Sequence, residues 1–175
     1  PFLDVTGANT LISWNASTFK KGFTSLSTIT LTSTDTINAG NWASATLNDR
    51  AYFFQAGFKP IYYTNESTSD EFKTIESHAD KTGTAPLANI VMSAFGRLFA
   101  ADTSTNKTTV FFSDLLDGVA WGSGSAGSIN ISGVLPKGSD VITGLGSHNG
   151  QLIIFCKNHI IIYKDNDSFQ GSFDV

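Results

Sequence analysis

One plan of residues recurs three times along the chain, and it leaves few folds open. In the first copy Trp42-Ala43-Ser44-Ala45-Thr46-Leu47 leads to Asn48-Asp49, then to Arg50-Ala51-Tyr52-Phe53-Phe54-Gln55. The turn Ala56-Gly57 follows, and then Pro60-Ile61-Tyr62-Tyr63-Thr64. In the second, Ile90-Val91-Met92-Ser93-Ala94, Phe95-Gly96 and Arg97-Leu98-Phe99-Ala100-Ala101 precede a polar loop from Asp102 to Lys107 and Thr108-Thr109-Val110-Phe111-Phe112-Ser113. In the third, Val141-Ile142-Thr143-Gly144-Leu145-Gly146 leads through His148-Asn149-Gly150 to Gln151–Cys156, and Lys157-Asn158-His159 leads on to Ile160-Ile161-Ile162-Tyr163. Each copy reads strand, tight polar turn, apolar strand, short loop, apolar strand. Asn-Asp and Asn-Gly suit hairpins because Asn and Gly accept the positive φ that tight hairpin turns need. The central strands are apolar at consecutive positions, which in an antiparallel sheet means that both faces are covered.

A more polar fourth strand can be placed after each copy, at Glu71–Glu76, Ser128–Ser132 and Ser168–Asp174. Four antiparallel strands with buried middle members describe a β-propeller blade. Matching turns lie about 45–55 residues apart, a spacing that suits blades with variable outer loops. The expected fold is therefore all-β, made of antiparallel four-stranded blades. The division is a lead-in or the end of a preceding blade over residues 1–40, then blades over 41–84, 85–136 and 137–175. In the lead-in, Leu26–Leu31 alternates as a strand with one wet face. Asp70–Ser77 has a second reading, a short helix capped by Ser69. Closure takes at least about four blades, so three and a fragment predict an incomplete segment of a larger propeller-containing protein, or blades arranged other than in a closed ring. The chain opens on Pro1 and ends on Val175 without an obvious stop, which reads as a processed or partial piece.

Composition agrees with strands. Charged residues are only 15%, against roughly 25% in ordinary globular chains. Twenty serines and twenty threonines take their place. Threonine and the fourteen phenylalanines favour pleated, half-buried surfaces. The net charge is −4 and the eleven basic residues are scattered, which argues against the basic patch that tight DNA binding requires. No apolar run approaches the ~18 residues of a membrane span.

Reaction chemistry is hard to find. Cys156 is the sole cysteine, which excludes an internal disulfide and reads as a small core residue. His78, His148 and His159 each sit beside turn residues, without a second histidine at metal-ligand spacing. No Gly-x-Ser-x-Gly elbow occurs, since Ser123 stands where the first glycine before Ser125 belongs. The run Gly122–Ser128 lacks the Gly-Lys-Ser/Thr ending of a phosphate loop and reads as a flexible outer loop. Asn15, Asn65, Asn106 and Asn130 begin Asn-x-Ser/Thr triplets, at a frequency that the Ser/Thr content explains. The segment Ser113–Trp121 resembles the Asp-box turn of sialidase-type propellers: its Gly118-to-Trp121 spacing fits, but Asp117 stands directly before the glycine. A sialidase site also needs clustered arginines to clamp a carboxylate. Arg50 and Arg97 are the only two, and they occupy one position of the repeat, as structural residues would. Catalytic, cofactor-binding and metal residues are therefore expected to be none.

The stretch from Phe95 to Lys164 resembles the tail tubular protein B family, the tail nozzle proteins of short-tailed bacteriophages (podoviruses). The resemblance rests on Phe95-Gly96-Arg97-Leu98-Phe99-Ala100-Ala101, Thr109-Val110-Phe111-Phe112-Ser113-Asp114 and Asp117-Gly118-Val119-Ala120-Trp121. It continues through Asp140-Val141-Ile142-Thr143-Gly144-Leu145 and the hairpin Asn149–Lys164. It implies a virion protein at the distal end of the tail, a hexameric ring with a propeller domain on each subunit, a tail-tube adaptor above it and fibres around it. It supplies no catalytic residue. The expected function is a structural conduit for DNA ejection without sequence-specific DNA binding, compatible with contact to the host surface. The alternatives are a carbohydrate-binding or glycan-processing propeller, and a tail-fibre or adhesin fragment. For the fold, residues 97–101 should pair with 108–113, and 151–156 with 160–164. Phe53, Phe99, Phe111, Leu152, Ile154 and Cys156 should be buried, with Phe111→Ala costing about 3–5 kcal/mol.

Overall fold

The computed structural model describes residues 2–3, 7–32, 34–66, 69–135, 140–165 and 173–174. The protein is all-β, a succession of antiparallel sheets. Strands β1 (Phe2–Leu3) and β2 (Asn9–Thr10) form a short ribbon. The first sheet contains β3 (Ile12–Asn15), β4 (Thr18–Lys21) and β5 (Ser27–Ile29). The second contains β6 (Ala43–Leu47), β7 (Arg50–Gln55), β8 (Phe58–Glu66) and β9 (Ser69–Thr74). The third contains β10 (Ala88–Ala94), β11 (Arg97–Thr103), β12 (Thr109–Phe112) and β13 (Gly127–Asn130). The fourth contains β14 (Ile142–His148), β15 (Gln151–Cys156), β16 (Ile160–Asp165) and β17 (Phe173–Asp174). Within each of these sheets the strands neighbour one another in chain order. The two expected pairings are present, β11 with β12 and β15 with β16.

The first hairpin of each four-stranded sheet turns at the expected residues. Asn48, Phe95 and Asn149 take φ of 50°, 50° and 48° at equivalent positions. Asparagine tolerates that conformation, whereas for phenylalanine it is strained. Phe95 is held there against Phe99, ring centroids 6.1 Å apart.

The side chains repeat a single direction of stacking. In each four-stranded sheet the second strand begins at Arg50, Arg97 or Gln151. Residues one and three further on face the preceding sheet, and those two and four further on face the following one, as the two-residue period of a strand requires. Ala51 and Phe53, with Ile61, Tyr63 and Phe72, therefore pack on Phe19 and Ile29 of the first sheet. Tyr52, Phe54 and Tyr62 pack on Leu98 and Ala100. Phe99, Ala101, Val110 and Phe112 pack on Leu152, Ile154, Cys156 and Tyr163. The second, third and fourth sheets also meet along their first strands, β6 on β10 and β10 on β14. By the same register Ile153 and Phe155 of the fourth sheet point forward, with Ile160 and Ile162 opposite them on β16.

Several expectations need correction. Phe111 is half-buried, not buried. Its partners Ala100 and Ser128 place it on the backward face, while Phe112 fills the core. Asp70–Ser77 is no α-helix. Glu71 and Lys73 pair with Thr64 and Tyr62 in the ladder, Phe72 and Thr74 alternate inward, and only Ile75–Ser77 coil, as one 3₁₀ turn. The fourth strand of the third sheet ends at Asn130. That side chain accepts from Ser132 N (2.9 Å) and caps the 3₁₀ turn Ile131–Gly133. The strand expected over Ser168–Asp174 falls mostly outside the described residues, with Phe173 and Asp174 pairing to Asp165 and Lys164. β14 runs on through His148, which narrows the expected turn to Asn149-Gly150. In the lead-in, Ile29 is buried between exposed Thr28 and Thr30, the expected half-wet strand.

Candidate functional site

The densest polar arrangement is the turn from Ser113 to Trp121, and its geometry is that of a staple. Asp114 Oδ1 accepts from Leu115 N (2.7 Å), Ser125 N (2.9 Å) and Ser125 Oγ (2.9 Å). The bond from Ser125 N, with those from Leu115 N and the Ser125 hydroxyl, holds the Asp114 carboxyl below its usual range against the opposing effect of burial. On the other side of Ser125, Arg97 donates to Ser113 O (2.9 Å), Ser125 O (3.1 Å) and Ser125 Oγ (2.7 Å). The guanidinium also lies 5.7 Å from the centre of the Phe112 ring. Gly122–Ser128 is thus fastened to the third sheet, and this corrects its reading as a flexible loop. Ser125 Oγ donates to the Asp114 carboxylate and accepts from Arg97, so both polar neighbours hold this hydroxyl in the staple.

The same turn joins two sheets. Asn48 Nδ2 donates to Leu116 O (2.5 Å), and Trp121 N donates to Thr82 O (2.8 Å). Trp121 Nε1 closes the turn on Gly118 O (3.0 Å), and its ring sits 6.0 Å from Phe54. Gly118 leaves room for Tyr52, since a Cβ there would come within 2.5 Å of that ring. Burial pushes the Tyr52 hydroxyl up to about 12, against the lowering effect of Arg50. Arg50 itself stacks 5.4 Å from the centre of the Tyr62 ring. The two arginines therefore serve separate structural tasks, and no carboxylate clamp forms.

A second cluster lies at the β15–β16 turn. Asp140, almost fully buried, accepts from Val141 N (2.8 Å) and Asn158 N (3.0 Å) and lies 2.7 Å from His159 Nδ1. Burial would raise its carboxyl, but His159 and the two backbone donors outweigh burial and bring it below the usual range. A carboxylate on Nδ1 is how a histidine base is oriented, and Cys156 lies in the same turn. Its thiol is pushed up by burial and by the charge of Asp140, opposite to what a thiolate nucleophile needs. Cys156 packs in the core as expected.

His78 sets its ring edge-on to Tyr62 at 5.4 Å, and His148 is exposed. Asn106 Oδ1 accepts from Thr108 N (3.2 Å) and Asn130 caps a turn, so these two are engaged within their own loops. Asn15 closes β3, and Asn65 lies within β8, paired with Asp70 of β9. Among the described residues no three His, Cys, Asp or Glu side chains converge as metal ligands. Sequence reasoning passed over Trp14. Its signal was a tryptophan set between Ser13 and Asn15, in a strand too polar to be core. Comparison with protein-family models, curated proteins and solved structures finds no match to this chain.

Proposed function

We propose that the chain is a structural virion protein, a run of β-propeller blades in the tail nozzle of a short-tailed phage, where it walls the distal conduit for ejected DNA. The observation that carries this reading is the one-way stacking of the sheets. Each successive face is filled by its neighbour, and the last forward face remains apolar. Phe155, Ile160 and Ile162 are 40%, 63% and 50% exposed. Repeat stacks end in polar outer faces, so this face suits a further sheet from the same polypeptide or a neighbouring subunit, as in a ring. Arg97, Arg50, Asp114 and Asp140 are each engaged in holding loops and sheets together, which fits a wall protein better than a glycan-processing enzyme. A net charge of −4 without a basic patch suits a surface past which DNA slides without sticking. On this reading the partners are further copies in a hexameric ring, the tail-tube adaptor and the fibres.

The test is antibody labelling of intact virions by electron microscopy. Label at the distal tip of a short tail is the expected result. Label on the capsid, or recovery of the protein free in the medium with saccharide-cleaving activity, overturns the reading.

A further inference from the structure

Trp14 stands in an inter-sheet junction that opens beside its first strand. Where β6 meets β10 and β10 meets β14, first strand packs on first strand. Between β3 and β6 there is instead a cleft of 210 Å³, lined by Ile12 and Trp14 on one side and by Ser44, Ala45, Thr46, Ala51 and Phe53 on the other. Trp14 also walls a second cleft of 380 Å³, with Ser13, Asn15, Thr18 and Lys20. The indole is 37% exposed.

The ring is held in place from below. It stacks on Phe19 (centroids 6.2 Å apart, planes at 24°) and meets Phe53 edge-on at 5.3 Å. Phe19 is fully buried. The β3–β4 turn is fastened by Trp42 Nε1, which donates to Ala16 O (2.9 Å), and the end of β4 by the Lys21–Asp70 ion pair. Beside the ring, in the inter-sheet cleft, the hydroxyls of Ser44 and Thr46 are committed to no intramolecular hydrogen bond among the described residues, whereas Ser13, Asn15 and Thr18 alternate onto the opposite face of the first sheet. The result is a preformed aromatic face beside a wet cleft edged with neutral hydroxyls.

We propose that this is a binding site for a neutral oligosaccharide, one pyranose ring lying on Trp14 and its hydroxyls reaching these side chains. The C–H face of a sugar ring carries slight positive charge and suits the negative face of an indole. Neutral Ser and Thr side chains match hydroxyl groups, and the cleft of 210 Å³, smaller than the ~300–1,000 Å³ of enclosed small-molecule sites, takes a single ring of a longer chain. Lys20 is the only charged residue lining either cleft, too little for a phosphate polymer. Stacked single-stranded nucleic acid needs a cationic groove along its backbone. The site stands independently of the nozzle reading and asks for binding, not cleavage.

The experiment is ¹⁹F NMR of the full chain labelled with 5-fluorotryptophan. Its three tryptophans give separable signals, and Trp14→Phe assigns one. Maltohexaose, cellohexaose and chitohexaose are titrated to about 50 mM, as is a thymidine decamer. At least one sugar should move the Trp14 signal alone, with Kd near ~1 mM. Thr46→Val should weaken binding about three- to tenfold in the same titration, and Trp14→Ala, which removes the reporter and is therefore followed by titration calorimetry, more than about tenfold, as one lost hydroxyl partner and lost stacking would. The proposal is overturned if no sugar moves the signal. It is also overturned if the decamer moves it as strongly, or if it moves with protein concentration instead, which would make the patch a contact between copies.

Discussion

The two ends of the stack present opposite chemistry. The outward face of the first sheet carries Ser13, Thr18, Lys20 and Thr28, whose neighbours along the chain Ile12, Phe19 and Ile29 face the core. The forward face of the fourth sheet carries Ile153, Phe155, Ile160 and Ile162, as apolar as its backward face with Leu152 and Ile154. Both sheets obey the same strand alternation, so secondary structure does not explain the difference. A sheet bordered by water on one side alternates polar and apolar residues, whereas one made to lie between two others does not. The first sheet is built as a cap, and the fourth as an interior member.

That contrast can be broken by truncating one phenylalanine on each kind of face. Phe53 is buried against Trp14, Phe19 and Phe72 in the first junction. Phe53→Ala should cost about 3–5 kcal/mol in urea unfolding followed by circular dichroism. Phe155→Ala should cost less than about 1 kcal/mol, because much of that ring is already in water. Equal costs would mean that the fourth sheet's forward face is packed within the chain.

The two arginines at one repeat position sharpen the comparison at a smaller scale. Arg97→Ala strips the buried Ser113 carbonyl and Ser125 of their donor, and should cost about 2–3 kcal/mol. Arg50→Ala loses a cation–π contact with Tyr62 and should cost about 0.5–1 kcal/mol. Acid unfolding reads the same staple. Since folding lowers the Asp114 pKa, its charge contributes fully above the unfolded carboxyl value of about 3.9. That contribution is lost as pH falls through the lower folded value. The stability gap between the native protein and Asp114→Asn should therefore be constant above about pH 5 and narrow on acidification. A gap that widens towards acid would reverse the assignment.

The strands and hairpins of the second to fourth sheets were legible because turn residues and apolar runs are local signals. Asn48-Asp49 and Asn149-Gly150 mark their own hairpins. What stayed hidden depends on where one sheet ends against the next. Phe111 and Phe112 are indistinguishable in sequence, and only the register with Ala100 and Phe99 decides which is core. The staple was half visible as an imperfect Asp-box. Its true partner Ser125 lies eleven residues past Asp114, in a Gly/Ser run that composition alone makes look loose. The cleft between Trp14 and β6 was illegible because it arises from the spacing between two sheets.

The smallest stability effect is expected at the centre of the uncovered face. Ile162 is half exposed on β16, directly opposite Ile153. Ile162→Lys places a flexible charge where it can reach water, so the unfolding free energy of the isolated chain should change by no more than about 0.5 kcal/mol. Association should respond differently. If a further sheet covers this face in the assembled particle, a lysine there must be desolvated without a partner, and subunits carrying it should fold but fail to assemble. Urea unfolding measures the first effect, and sedimentation or native mass spectrometry of the assembled protein measures the second. A loss of more than about 2 kcal/mol in the isolated chain would show that Ile162 already lies in a core. Normal folding with normal assembly would leave the apolar face without the covering sheet that its chemistry calls for.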